Sequence, residues 1–148
     1  MSAADFEPRD PDYERRVRES FARQRAMETL GARLLRVAPG EVEIGLGFSE
    51  ALTQQHGYLH AGVVAAAVDS ACGYAALTLS DAGSEVLSIE FKLNLLSPAA
   101  GESFVARARV VRAGRNVTVC AGDLFALKGG GAEKPVATML ATMMTVRS

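Results

Sequence analysis

The chain has 148 residues, of which 49% are apolar and 22% charged, and its formal net charge is -1. This length suits one well-buried core, so we expect a single domain, and the near-neutral charge argues against a surface that binds nucleic acid. The first ten residues are acidic and polar where a signal peptide would be basic and then apolar. Cys72 and Cys120 lack the spacing of a metal site or a redox pair, so we expect a cytoplasmic protein without metal or cofactor.

The first predicted element is an amphipathic helix that ends at Gly31. Asp10 is a candidate N-cap, and Pro11 would occupy the first helical position. One face of the helix collects Val17, Phe21, Gln24, Met27 and Leu30. Arginines and glutamates interleave along the rest, and no second helix follows to form a helix-turn-helix. We therefore interpret residues 1–31 as an N-terminal segment with a solvated helix, which precedes a main domain over residues 32–148.

After Gly31 the apolar residues recur at every second position, which is typical of strands. A Pro39-Gly40 turn divides the first such stretch into a β-hairpin with one wet face. Four further strands are predicted over residues 87–95, 103–111, 116–127 and 135–146. In the first of these, apolar residues at odd positions alternate with Ser88 and other polar residues at even positions. Short connections predict that the last four strands form an antiparallel meander.

Between the hairpin and these strands lies a stretch of small and apolar residues, 53–80. It is the sole candidate for a transmembrane run, but it contains His60 and Asp69 and lacks a flanking basic cluster. We therefore predict a buried helix and no membrane association. A helix that is apolar nearly all round needs cover on most of its circumference, and one curved antiparallel sheet wrapped around it would supply that cover. The fold class is α+β.

Asp69 interrupts this apolar helix. Its helical neighbours are all small, namely Gly62, Ala65, Ala66, Cys72, Gly73 and Ala76. A lone charge in apolar surroundings costs several kcal/mol unless it is paired or its pKa shifts, so the carboxylate must have a compensating contact. The helix alone leaves two interpretations open, a structural bond to backbone or to a neighbouring subunit, and a functional site in a shallow trough.

The loop before the helix favours a functional site. Gln54 offers a neutral hydrogen-bonding amide, and His60, Ala61 and Gly62 stand at the expected helix start. The first amides of a helix have no partner within it and carry the positive end of its dipole, which suits a carbonyl oxygen that gains negative charge. His60 lies roughly 13 Å from Asp69 along a helix, so we interpret it as a capping or packing residue rather than a base.

Gln54, the segment "GYLHAG" and Asp69 follow one another in this order, with "LSIEFKLNLLSPAAG" and "VRAGRNVTVCAGDLF" after them. From Leu30 onward the chain resembles the hotdog-fold acyl-CoA thioesterases, most closely the phenylacetyl-CoA thioesterase (PaaI-like) branch. The resemblance implies that Asp69 acts as nucleophile on the thioester or as general base for water. It also implies that Gln54 orients the water or the thioester, and that the backbone amide of Ala61 polarises the carbonyl.

The same resemblance implies supporting roles for other residues and an oligomer. His60 would support the loop beside Gly62, and Ser88 would help to position water. Two chains would share each site, so that Gln54 and Ala61 of one chain face Asp69 and Ser88 of the other in a homodimer or homotetramer. The family often has serine or threonine where this chain has Gly73, which leaves the acyl group open.

The hairpin with Arg112, Gly114 and Arg115 lies near the nucleotide of CoA in the family, so these residues are candidates for CoA binding. The alternative is that both arginines only keep a surface hairpin soluble. Two other functions are possible for this fold, a non-catalytic acyl-CoA-binding protein and a hydratase. The first would need an attached DNA-binding unit, and the second a constellation of aspartate and histidine that the sequence lacks.

Overall fold

A computed structural model describes residues 5–147. The first four residues of the N-terminal segment, and Ser148, lie outside this part. Two short helices come first, and six strands surround one long helix. The helices are α1 (Tyr13–Arg23), α2 (Arg25–Leu30) and α3 (Ala61–Leu77), and a 3-10 turn covers Glu50–Leu52. The strands are β1 (Arg33–Ala38), β2 (Glu41–Gly47), β3 (Ser84–Leu95), β4 (Ser103–Ala113), β5 (Val117–Leu127) and β6 (Glu133–Arg147).

The six strands form one antiparallel sheet in the order β1-β2-β4-β5-β6-β3. The predicted hairpin of β1 and β2 is confirmed, and Gly40 in its turn has the positive φ of 76° that glycine tolerates. The predicted meander of four strands is wrong. Only β4, β5 and β6 follow one another, while β3 pairs with β6 and β2 pairs with β4. The reason is that α3 packs across β2 through β6, so a chain that enters it from β2 leaves it at the opposite edge.

The core lies between α3 and the concave face of the sheet, as the apolar circumference of the helix predicts. Val64, Ala67 and Val68 of α3 are fully or almost fully buried. No helix among residues 5–147 is long and apolar enough to span a bilayer. The small residues of α3 let it approach the sheet closely. A Cβ atom at Gly122 of β5 would lie 2.8 Å from Val68 Cγ1 and 2.9 Å from Cys72 Sγ.

The N-terminal helix differs from its prediction at its start and is interrupted in its second half. Asp12 rather than Asp10 precedes α1, and the Asp10 carboxylate instead accepts from the Asp12 N–H at 2.9 Å and from Arg16 at 2.9 Å. These contacts, the backbone bond first, hold the pKa of Asp10 below its usual value. Gln24 is extended and separates α1 from α2, and the second helix ends at Gly31 as predicted.

Arg16 fixes α1 to the far end of α3. Its guanidinium donates to the Ser84 carbonyl at 2.8 Å and contacts the Ser80 carbonyl at 3.4 Å. The side chain is only 17% exposed, so these charge-assisted bonds form where water competes little. The N-terminal helix is therefore held against the main domain by a specific contact, and its end lies over one side of α3.

We expect Gly122→Ala to lower the free energy of unfolding by about 1–3 kcal/mol, because the new methyl group would force Val68 and Cys72 from their packed positions. Urea denaturation at a fixed protein concentration measures this. The control is Gly47→Ala at the end of β2, where a Cβ atom meets nothing within 4 Å. Equal losses in the two variants would show that the contact between β5 and α3 is not tight.

Candidate active site

Asp69 stands on α3 with its carboxylate partly exposed, and its partner comes from β3. Ser88 Oγ donates to Asp69 Oδ1 at 2.6 Å and also lies 3.3 Å from Met143 Sδ. The charge is thus compensated by a hydroxyl rather than by a cation, and the second carboxylate oxygen remains available to a ligand. This contact places Ser88 beside the carboxylate, and its role in positioning water stays a prediction.

A β-bulge brings Ser88 to the helix side of the sheet. Ser88 pairs with Met143 and Glu90 pairs with Thr142, so Ile89 is an extra residue between them. Met143 is buried against the helix, and its partner Ser88 therefore points the same way. The strict alternation expected for this strand is wrong at this point. The bulge at Ile89 puts Ser88 on the opposite face of the sheet from Glu90, although a regular strand would place both on the same face.

The first of two clefts opens beside Asp69, and we refer to it as the carboxylate cleft. Its volume is about 430 Å³. Its walls come from α3, from the start of β3 and from the end of α1 with Gln24. Gly73 lies one turn after Asp69, and a Cβ atom there would meet nothing within 4 Å. The missing side chain therefore leaves free space along the helix next to the carboxylate.

The second cleft, the loop cleft, lies at the start of α3. It has a volume of about 710 Å³, and its lining includes Gln54, His60 and Ala61. Gln54 Oε1 accepts the N–H of His56 at 2.6 Å and that of Tyr58 at 3.3 Å. Because both partners are donors, the amide oxygen faces the loop and the NH2 group is left to donate. Gln54 is therefore built as a donor toward this cleft.

His60 is the N-cap of α3. Its Nδ1 atom accepts the Gly62 N–H at 2.8 Å, which occupies that amide. Among residues 5–147, the Ala61 N–H has no hydrogen-bond acceptor, and it lies at the positive end of the helix dipole. The loop cleft thus presents two unused donors, the Ala61 amide and the Gln54 NH2 group. His60 fixes the helix start, as its predicted supporting role requires.

Within one chain these two groups of residues remain apart. Asp69, Ser88 and Gly73 line the carboxylate cleft, while Gln54 and Ala61 line the loop cleft. Ala61 and Asp69 belong to the same rigid helix, where their separation corresponds to about 12 Å along the axis. A single chain therefore cannot bring the carboxylate and the amide donors to one carbonyl group.

The hairpin between β4 and β5 lies outside both clefts. A Cβ atom at Gly114 would lie 2.5 Å from the Val117 carbonyl oxygen, so only glycine fits this turn. Arg112 and Arg115 are exposed, and within the described chain neither guanidinium has an acidic partner. The Arg115 carbonyl accepts from Arg147 at 2.8 Å, which ties the hairpin to the end of β6.

The two cysteines take no part in the site. Burial raises the pKa of the Cys120 thiol to about 12 and also raises that of Cys72. Neither thiol is therefore a nucleophile at neutral pH. In the part of the chain that the structure covers, no group of histidine, cysteine, aspartate and glutamate residues could hold a metal ion.

Comparison with known proteins identifies the family of this chain. The family model of the thioesterase superfamily matches residues 56–133. A thioesterase family protein from Silicibacter pomeroyi is 50% identical with a TM-score of 0.90, and the match covers 92% of this chain and 99% of that one. The chain belongs to the thioesterase superfamily. The resemblance in its sequence to hotdog thioesterases is thereby confirmed.

Other similar proteins have lower sequence identity to this chain. The PaaI protein from the phenylacetic acid degradation operon of E. coli is 17% identical with a TM-score of 0.80, and the match covers 91% of this chain and 94% of that one. Two Saccharolobus solfataricus proteins named as candidate esterases are each 32% identical. The matches cover 61% of this chain and 64% of the first protein, and 76% of this chain and 73% of the second.

The contribution of the N-terminal segment to the carboxylate cleft was not predicted. Ser20, Arg23 and Gln24 line it together with Ser70 and Tyr74 of α3. Gln24 donates to the Tyr74 hydroxyl at 2.9 Å and accepts from Ser70 at 2.9 Å. One signal was present in the sequence, because Gln24 is the polar residue on the apolar face of the predicted helix. Ser20, Arg23 and Gln24 precede the part of the chain that the superfamily model matches.

We expect His60→Ala to lower the free energy of unfolding by about 1 kcal/mol, because the Gly62 amide loses its acceptor. His60→Asn keeps a capping oxygen and should retain most of the stability. Urea denaturation of both variants at equal concentration makes the comparison. If both variants unfold like the wild type, the bond between His60 and Gly62 does not stabilise the helix start.

Proposed function

We propose that this member of the thioesterase superfamily is an acyl-CoA thioesterase that hydrolyses the thioester bond to a free acid and CoA. The observation that carries the proposal is the Asp69 carboxylate, which accepts from Ser88 Oγ at 2.6 Å on the wall of an open cleft and has no ion-pair partner among residues 5–147. A carboxylate held in this way can accept a proton from water or attack a carbonyl carbon.

The chemistry needs donors opposite the carboxylate. The Ala61 N–H and the Gln54 NH2 group would stabilise the negative charge that develops on the thioester oxygen. In the general-base route Asp69 takes a proton from water, the water oxygen bonds to the carbonyl carbon, and the carbon–sulfur bond breaks as the proton passes to the departing thiolate. In the nucleophilic route a carboxylate oxygen of Asp69 bonds to the carbonyl carbon and the carbon–sulfur bond breaks, which releases the CoA thiolate and leaves a mixed anhydride. Water then hydrolyses the anhydride to the free acid, which restores the Asp69 carboxylate, and a proton from this water passes to the thiolate.

A homodimer would complete the site. β3 lies at the edge of the sheet, and it exposes 60% of Leu87, 54% of Ile89 and 45% of Phe91. A long apolar edge strand invites pairing with another strand, and a two-fold dimer joins the same strand of two copies. Such a dimer places the loop cleft of one protomer beside the carboxylate cleft of its partner, with pairing of two dimers as a further step.

The phosphates of CoA need cations, and the net charge of -1 supplies no general attraction. Arg112 and Arg115 are exposed cations without acidic partners in the described chain. Gly114 holds the turn between them in a fixed shape. We therefore assign the nucleotide end of CoA to this hairpin.

We expect Asp69→Asn to lower the turnover number by about a hundredfold or more while the fold and oligomer persist, because the isosteric amide is neither a base nor a nucleophile. Release of CoA from an acyl-CoA panel, followed with a thiol reagent, measures this. The control is Asp123→Asn on β5, a partly exposed carboxylate that pairs with Arg109 at 3.7 Å outside the carboxylate cleft. Hydrolysis at the wild-type rate in Asp69→Asn would make Asp69 structural.

A mixing experiment tests whether two chains share each site. Asp69→Asn and Gln54→Ala are unfolded together in equal amounts and refolded. Half of the dimers then contain one chain of each kind, and each of these has one intact site, so about a quarter of the wild-type activity should return.

The control mixture combines Asp69→Asn with Ser88→Ala. In the proposed dimer one protomer supplies both Asp69 and Ser88 to a given site. A mixed dimer therefore has no site in which both residues are wild type. The control mixture should show only the average activity of its components. The same average in the first mixture would contradict a shared site.

A further inference from the structure

Four polar side chains that contact one another line the carboxylate cleft together with Asp69. Ser20 donates to the Tyr74 hydroxyl at 3.3 Å, Gln24 Nε2 donates to the same oxygen at 2.9 Å, and Ser70 donates to Gln24 Oε1 at 2.9 Å. All four side chains line the cleft. We refer to this network as the polar wall. The polar wall lies within the carboxylate cleft, and Tyr74 is only 7% exposed.

The donors and acceptors of the polar wall do not balance. The contact between Ser20 and Tyr74 joins two hydroxyl groups, so one of their two O–H groups has no acceptor in the described chain, and Gln24 Nε2 has a second N–H to give. Arg23 also lines the cleft, and its guanidinium has no acidic partner among residues 5–147. The polar wall therefore offers hydrogen-bond donors. A plain hydrocarbon chain would remove water from these donors without accepting their hydrogen bonds, and this would weaken its binding.

Position fixes which part of the substrate would meet this wall. The helix rises about 7.5 Å from Asp69 to Tyr74, a length that an acyl chain of roughly six carbons spans. Between them Gly73 leaves space, and Leu77 and Val86 supply apolar surface for methylene groups. Glu85 also lines the cleft from β3, and its carboxylate is exposed, so an anionic acyl end has to lie on the α1 side.

We propose that the polar wall selects acyl groups whose far end carries an oxygen acceptor, either a hydroxyl or a carboxylate, over plain alkyl chains of equal length. This rests on the proposed thioesterase function and names its substrate class. Tyr74, Gln24 and Ser20 bind the terminal oxygen, and Arg23 adds attraction when that oxygen belongs to a carboxylate. The N-terminal segment is thereby part of substrate recognition.

The test compares kcat/KM for three thioesters of equal chain length, hexanoyl-CoA, 6-hydroxyhexanoyl-CoA and adipoyl-CoA. Wild-type protein should prefer at least one oxygenated substrate over hexanoyl-CoA by about tenfold or more, since buried donors discriminate strongly against a ligand without an acceptor. Tyr74→Phe, which removes only the hydroxyl, should reduce that ratio by about fivefold or more. Ser20→Ala should reduce it in the same direction and serves if Tyr74→Phe fails to fold.

The arginines separate the two kinds of oxygen. If the preferred acyl end is a carboxylate, Arg23→Gln should lower the kcat/KM ratio of adipoyl-CoA to hexanoyl-CoA more than the ratio of 6-hydroxyhexanoyl-CoA to hexanoyl-CoA. If the preferred end is a hydroxyl, Arg23→Gln should change the two ratios equally. Arg25→Gln is the matched control, because Arg25 is exposed in the next helix and does not line the cleft. It should leave all three rates unchanged.

Two results would overturn the proposal alone. One is a wild-type preference for hexanoyl-CoA or equal rates for all three substrates, and the other is a preference for oxygenated substrates that neither Tyr74→Phe nor Ser20→Ala reduces. A protein that hydrolyses none of the three, nor any other acyl-CoA in the panel, would instead overturn the thioesterase function and this proposal with it.

Discussion

The rigidity of α3 is the constraint on which the site depends. It fixes the Ala61 amide at its start and the Asp69 carboxylate about two turns later, a distance that no side-chain rotation can close. The same helix has to be covered on most of its circumference, and the sheet leaves one edge of that cover at β3. The homodimer that we propose would cover the exposed apolar residues of β3 and complete the site at the same time.

Ser88 illustrates how a local irregularity can determine chemistry. A regular strand would place it with Glu90 on the face away from the helix, where it could not reach Asp69. The extra residue at Ile89 turns it toward α3, and its hydroxyl then compensates the carboxylate without a cation. A cation at this position would form an ion pair that competes with water and substrate for the carboxylate oxygens. A neutral donor to one carboxylate oxygen leaves the other oxygen accessible.

Periodicity was sufficient to predict the N-terminal helical region, the hairpin and the other four strands, because burial on one face requires alternation or a helical repeat. It did not predict the break at Gln24, and α3 was predicted from its continuous apolar run. It could not predict the order of the strands, since that order depends on how α3 crosses the sheet and not on any single segment. The bulge at Ile89 was equally hidden, because Ile89 fits the apolar alternation that it breaks. Asp69, Gln54 and Ala61 were predicted as a group through resemblance, yet a single chain separates them, and the sequence contains no distance between two subunits.

The proposed catalytic residues and the N-terminal lining of the carboxylate cleft come from different parts of the chain. Asp69, Ser88 and Ala61 lie within the residues that the superfamily model matches, whereas Ser20, Arg23 and Gln24 precede them. Arg16 holds the N-terminal helix by bonds to backbone carbonyls at Ser80 and Ser84, and these bonds do not depend on what the cleft contains. The anchoring of the helix is thus independent of the side chains it presents at Ser20 and Arg23. Changes at these two positions can alter the far wall of the cleft without moving the carboxylate or the sheet that supports it.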